Sequence, residues 1–178
     1  MDPITFNIAL GAAGGSAEEA YWIAYADSSS YHPSICTTTD SSGNVYTAFD
    51  DGSAFGLVQF DSDGQQQYAK RYANIYGADP RCIDIDSSSN VYIGGEGSRS
   101  NGTGSAQNCV IKTSSAGALT TSQTFGDTAG FGEKTEDLVV DGSSVYCASE
   151  GKDSSGNGIF TLTKLSTVLN SITWERKL

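Results

Sequence analysis

One short motif occurs three times in the chain. Asp40-Ser41-Ser42-Gly43-Asn44-Val45-Tyr46 returns as Asp86-Ser87-Ser88-Ser89-Asn90-Val91-Tyr92 and, one residue shorter, as Asp141-Gly142-Ser143-Ser144-Val145-Tyr146. Self-similarity at a period of roughly 40–50 residues marks a repeat architecture, whose units bury their apolar faces by stacking on one another.

Short apolar runs flank each copy in the same order. In the first module Ser34–Thr39 leads into the Asp40 turn, then Val45–Phe49, Phe55–Phe60 and Gln66–Tyr72 follow. Asp and Ser in the turn suit side-chain-to-backbone bonds, and Gly43 and Asn44 suit a positive φ. The second module reads Cys82–Ile85, Val91–Gly95, Cys109–Thr113 and a strand ending at Phe125. The third reads Asp137–Val140, Val145–Ala148, Ile159–Leu165 and Ile172–Leu178. The fourth strands end at Tyr72, Phe125 and Leu178, which are equally spaced.

Four short strands per repeat, joined by tight turns, define propeller blades. The expected fold is therefore all-β: a β-propeller-like array of four-stranded antiparallel blades. The modules span residues 27–72, 73–125 and 126–178. Tyr21–Ala26 reads as a leading strand, in register with the fourth strands. Three blades fall short of the about four to eight of closed propellers. Two explanations stand: more blades follow Leu178, or several copies associate. The Val-Tyr pairs are expected to supply blade faces.

Of the 178 residues, 21 are Gly, and the formal net charge is −11. That charge repels phosphate backbones and anionic membrane surfaces, so no nucleic-acid partner is expected. No apolar run approaches the about 18 residues of a membrane span, and no basic, apolar leader opens the chain. Cys36, Cys82, Cys109 and Cys147 form no C-x-x-C pair, and His32 is the one histidine. A structural zinc site is not expected, and all four cysteines read as small buried apolar residues. The disulfide state stays open, although Cys36 and Cys82, at equivalent repeat positions, are poorly placed to pair.

Catalytic signals are absent from the pattern. His32 sits before Pro33 without a G-x-S-x-G motif, so no triad is expected. The acidic residues lie mostly in turns. Asp61-Ser62-Asp63-Gly64 is half of a calcium loop, but Gln65-Gln66-Gln67 follow where further ligands would be needed, and a plain hairpin turn is expected. The expectation is a non-enzymatic protein with no metal or cofactor. The loops between second and third strands, Asp50–Ala54, Ser98–Gln107 and Gly151–Asn157, vary in length and chemistry. In repeat proteins such insertions map to one face, often the binding face. Ser98, Arg99, Asn101, Thr103 and Gln107 form the candidate recognition loop for a glycan or protein; a tolerated insertion is the plainer alternative.

Residues 1–20 stand apart. Asp2 and Pro3 suit a helix start, yet Ile4, Phe6, Ile8 and Leu10 alternate as a strand would. Either way, an apolar head on the tether Gly11–Ser16 reads as a docking segment; the alternative is a loosely packed terminus.

The Asp-Ser-Ser-Gly-Asn-Val-Tyr motif, the Leu57-Val58-Gln59-Phe60-Asp61-Ser62-Asp63-Gly64 strand and turn, and the aromatic-Lys strand after it resemble the seven-bladed β-propeller repeat family over residues 21–178. That family carries no catalytic motif to transfer. The Met1-Asp2-Pro3-Ile4-Thr5 start and its Gly/Ala-rich tether, running into Tyr21-Trp22-Ile23-Ala24, are similar to tail-associated structural proteins of bacteriophages, especially marine ones. The resemblance implies a virion protein of the tail or tail fibre, made in the host cytoplasm and assembled as a homo-oligomer with other tail proteins. A host-surface receptor or glycan is a further implied partner. A cell-envelope or secreted binding module for proteins or glycans is the alternative.

Overall fold

A computed structural model describes residues 35–50, 54–72, 76–98, 106–126, 132–153 and 155–177. These residues form strands β1 to β12 and no helix. Blade one consists of β1 (Ile35–Thr39), β2 (Val45–Asp50), β3 (Phe55–Phe60) and β4 (Gln66–Tyr72). Blade two consists of β5 (Tyr76–Ile85), β6 (Val91–Ser98), β7 (Ala106–Thr113) and β8 (Leu119–Phe125). Blade three consists of β9 (Lys134–Asp141), β10 (Ser144–Lys152), β11 (Gly158–Ser166) and β12 (Ile172–Lys177). Each blade is a four-stranded antiparallel meander whose strands neighbour one another in chain order. The expected strand over 21–26 and the segment 1–20, with Ile4, Phe6, Ile8 and Leu10, lie outside the described residues.

The register superimposes the repeats. Val45 pairs with Phe60, Val91 with Thr113 and Val145 with Leu165. A strand sends successive side chains to opposite faces, so Val91 and Val145 point toward the preceding blade and Tyr46 and Tyr92 toward the following one. Tyr46, Ala48, Phe55 and Leu57 of blade one meet Val91, Ile93, Cys109 and Ile111 of blade two. Tyr92 and Val110 of blade two meet Leu138, Val145, Cys147 and Leu165 of blade three. Blade two is thus covered on both faces. That explains why β6 opens with Val91-Tyr92-Ile93 and β7 carries Cys109-Val110-Ile111 without alternation. A fully buried side chain of this kind contributes about 1.5–3 kcal/mol, so the two seams hold most of the fold.

The blades fan out from their first strands. β5 lies against β1, β2 and β3, and β9 lies against β5, β6 and β7. The seams are pinned again by the turns between third and fourth strands. The Tyr72 hydroxyl donates to the Gly117 carbonyl of blade two at 2.9 Å. The Tyr92 hydroxyl and the Lys112 ammonium both donate to the Thr167 carbonyl of blade three at 3.2 Å.

Several strands outrun the apolar residues that announce them. β5 begins at Tyr76 rather than Cys82, β6 continues to Ser98, β7 begins at Ala106 and β9 at Lys134. The added residues include Asp79, Arg81, Glu96, Asn108 and Glu136, whose polar side chains are accommodated at the seam described below. Pro80 is tolerated because β5 is an edge strand with register shifts on either side of it. The third turn also departs from expectation. β9 runs through Asp141, which pairs with Ser144, so the connection is the two-residue hairpin Gly142-Ser143.

Candidate functional site

Two of the three repeated aspartates, Asp40 and Asp86, hold their own turns. Asp86 Oδ1 accepts from the Ser88 and Asn90 amides at 2.9 Å, and Oδ2 accepts from Asn90 Nδ2 at 2.8 Å and from the Tyr92 hydroxyl at 3.2 Å. Asp40 makes the corresponding bonds to Ser42, Asn44 and Tyr46. Only Gly43 of the first turn has a positive φ, of 80°. Asn44, contrary to expectation, does not; it donates to Asp40 instead. Burial resists ionisation of Asp40 and Asp86, but the surrounding donors outweigh it and hold both carboxyls below their ordinary value of 3.8. Burial and then the neighbouring Asp40 push the Tyr46 phenol up to about 12. Asp61 is likewise committed to its hairpin, accepting from Asp63 N, Gln65 N and Gln67 Nε2.

A fourth copy of this turn, Asp153-Ser154-Ser155-Gly156-Asn157, repeats the letters of Asp40–Asn44 at the opposite end of a blade. Sequence reading treats it as a variable loop. In the structure Asp153 Oδ1 accepts from the Ser155 and Asn157 amides at 2.8 Å. The identity of the five letters was the available signal.

The loop end of the molecule carries a charged seam between blades two and three. Arg81 on β5 donates through Nη2 to Asp79 at 3.0 Å and through Nη1 to Glu136 on β9 at 3.1 Å. The planar guanidinium thereby links two strands of different blades. Lys134 and Glu150, directly paired across β9 and β10, approach to 3.3 Å. Glu96 faces this group. Desolvation raises its carboxyl above the usual range; Lys134 opposes that shift and Asp79 adds to it. Deeper in the same seam Asn108 donates to the buried Glu133 at 3.3 Å and accepts from Thr135 at 3.2 Å. Asp84 extends the contact by accepting from the Val140 amide at 2.7 Å. The Arg81–Glu136 pair and the Asn108–Glu133, Thr135–Asn108 and Val140–Asp84 hydrogen bonds cross the packing interface, an arrangement suited to fixing blade orientation. No motif in the sequence marks them, because their partners are brought together by register alone. Among the described residues no group of His, Cys, Asp or Glu is arranged to hold a metal ion.

The expected recognition loop is shorter than its letters imply. Ser98 closes β6 and pairs with Ala106, while Gln107 pairs with Gly97 inside β7 and is only 5% exposed. Gln107 is therefore a buried strand residue. Arg99, Asn101 and Thr103 lie outside the described residues. Likewise β10 extends to Lys152 and β11 starts at Gly158. All four cysteines are free. Cys82, Cys109 and Cys147 are buried as expected, whereas Cys36, on the edge strand β1, is half-buried. Burial pushes the Cys109 and Cys147 thiols up to about 12, with Asp137 adding to the effect at Cys147.

Blade three presents the other distinctive surface. Its outward face repeats the residues that blades one and two bury, with Tyr146 and Lys164 standing where Tyr92 and Lys112 stand. Lys164 lies 5.2 Å from the Tyr146 ring centre, as Lys112 lies 5.0 Å from that of Tyr92. The Tyr146 and Trp174 rings are 6.3 Å apart, and Arg176 lies 5.8 Å from the Trp174 ring. Phe160 is 44% exposed here, while Phe55 at the same register position of blade one is fully buried.

No protein-family model matches the chain, and no curated protein matches it. Among the described residues no helix is long and apolar enough to cross a membrane.

Proposed function

We propose that this chain is a non-enzymatic structural protein of a bacteriophage particle, associated with the tail or tail fibre. Residues 1–20 dock on the particle through Ile4, Phe6, Ile8 and Leu10. The blades act as scaffold or as a receptor-facing module. The observation that carries this reading is the aromatic outward face of blade three, a surface of the kind that seats another protein. Asp40, Asp86 and Arg81, meanwhile, are engaged in turns and seams. The particle itself is supported by the likeness of the first residues to phage tail proteins. Its partners are then other tail proteins and a host-surface receptor or glycan, and its location is the virion after synthesis in the host cytoplasm.

The test is incorporation. Particles assembled with the intact chain should contain it by mass spectrometry, and particles assembled with residues 2–20 deleted should lack it. Equal incorporation of both would defeat the docking role. Recovery only from cell-envelope fractions would instead support a cell-envelope or secreted binding module for proteins or glycans. The connections between second and third strands, which vary in length and chemistry in the sequence, favour that second reading.

A further inference from the structure

We propose that two copies of this chain join head to tail, the outward face of blade three in each copy seating blade one of the other, to close a six-bladed ring. This goes beyond the particle assignment and stands or falls without it.

The two internal seams define what a following blade meets. In each, a Tyr from the second strand, an apolar residue from the third strand and, in blade two, a Lys receive the Val-led face of the next blade. Tyr46 and Tyr92 are 1% and 0% exposed as a result. Tyr146, Leu162 and Lys164 repeat that set on blade three, where Tyr146 and Leu162 are only half-buried. The complementary half is on blade one. Val45, Thr47 and Val58 occupy the register positions of Val91, Ile93 and Ile111, which are fully buried in the first seam. On blade one the same three positions are half-buried. The three described blades therefore present a giving face at one side and a receiving face of the same kind of seam at the other.

Charge selects the same pairing. Lys112 donates to the carbonyl of Thr167, the second residue of the next blade's turn. In blade one the corresponding turn is Asp61-Ser62-Asp63-Gly64, with the same closing bond from the fourth residue's amide to the first residue's carbonyl. A copy seated on blade three would place the Ser62 carbonyl at Lys164, flanked by two carboxylates, with Arg176 nearby. Heterologous contacts form rings when their rotation closes. Closed propellers hold about four to eight blades, and two copies of the three described blades supply six.

The experiment is the solution mass of the 178-residue chain by sedimentation equilibrium, repeated on Phe160→Glu and Val58→Glu with circular dichroism as the check on folding. The wild type is expected near 37 kDa, twice 18.6 kDa. Each variant alone should shift to the monomer mass, and an equimolar mixture should recover a two-copy species through its one intact seam. If either apolar-face variant unfolds, the charge pair Lys164→Glu and Asp63→Lys replaces it: each should weaken the dimer at least tenfold, and both together should restore it. A monomeric wild type would overturn the proposal. Dissociation by Phe160→Glu with no effect of Val58→Glu would also overturn it, in favour of two blade-three faces meeting back to back.

Discussion

Asp86 ties a turn, a strand and a seam together. Its carboxylate holds the Ser88 and Asn90 amides, caps Tyr92, and lies 3.8 Å from the Lys112 ammonium that reaches blade three. Bonds to a charged group are worth about 1.5–3 kcal/mol. Asp86→Ala should therefore cost about 2–3 kcal/mol, read as a lower urea midpoint. The pH dependence has a definite sign. The folded carboxyl titrates below its ordinary value, so its stabilisation is complete above pH 3.8 and is lost as pH falls through the depressed value. Asp40 and Asp153 shift the same way. Acid unfolding should set in only below that point, and Asp86→Ala should flatten the acid limb of the stability curve. The Asp-Ser-Ser-x-Asn letters made the Asp40 and Asp86 turns legible, whereas the same letters at Asp153 read as a variable loop. The coupling of Asp86 to Tyr92 and Lys112 was not legible, because it needs the register of three strands.

At the scale of the element, the turns between third and fourth strands solve one backbone problem in two ways. Gly117 adopts φ 72°, and Leu169 adopts φ 51° at the equivalent place. A Cβ on Gly117 would stand 2.6 Å from the Tyr68 ring, so the site excludes a side chain as well as a left-handed L-residue. Leu169 accepts the strain because its side chain is buried in the seam between blades two and three. Gly117→Ala should cost about 1–3 kcal/mol, from overpacking and backbone strain together; thermal unfolding measures it. Strand existence and order were readable from period-two runs between Asp, Ser and Gly turns. Strand ends were not. The polar stretches around Asp79, Glu96 and Glu136 look like loop in one dimension and become strand through pairing across the seam. Gln107 shows the same effect: a polar letter beside a Gly-rich stretch, yet buried in β7.

For the whole molecule, stability should follow the number of covered faces, since a blade alone is too small a sheet to persist in water. Among the described residues, blade two is covered on both faces and blades one and three on one face each. The repeat period announced this stacking from the sequence. The Tyr-Lys face of blade three was not read from it, although Tyr146 and Lys164 fall at the letters of Tyr92 and Lys112. The charged seam had no such announcement. Hydrogen exchange compared between the wild type and Phe160→Glu tests the central claim, that covered blade faces hold the fold, most directly. Amides of β6 and β7 should exchange slowest in the variant, and β10 and β11 should be protected in the wild type but lose that protection in the variant. Equal protection of all three blades in the variant, or blade one slowest, would contradict it.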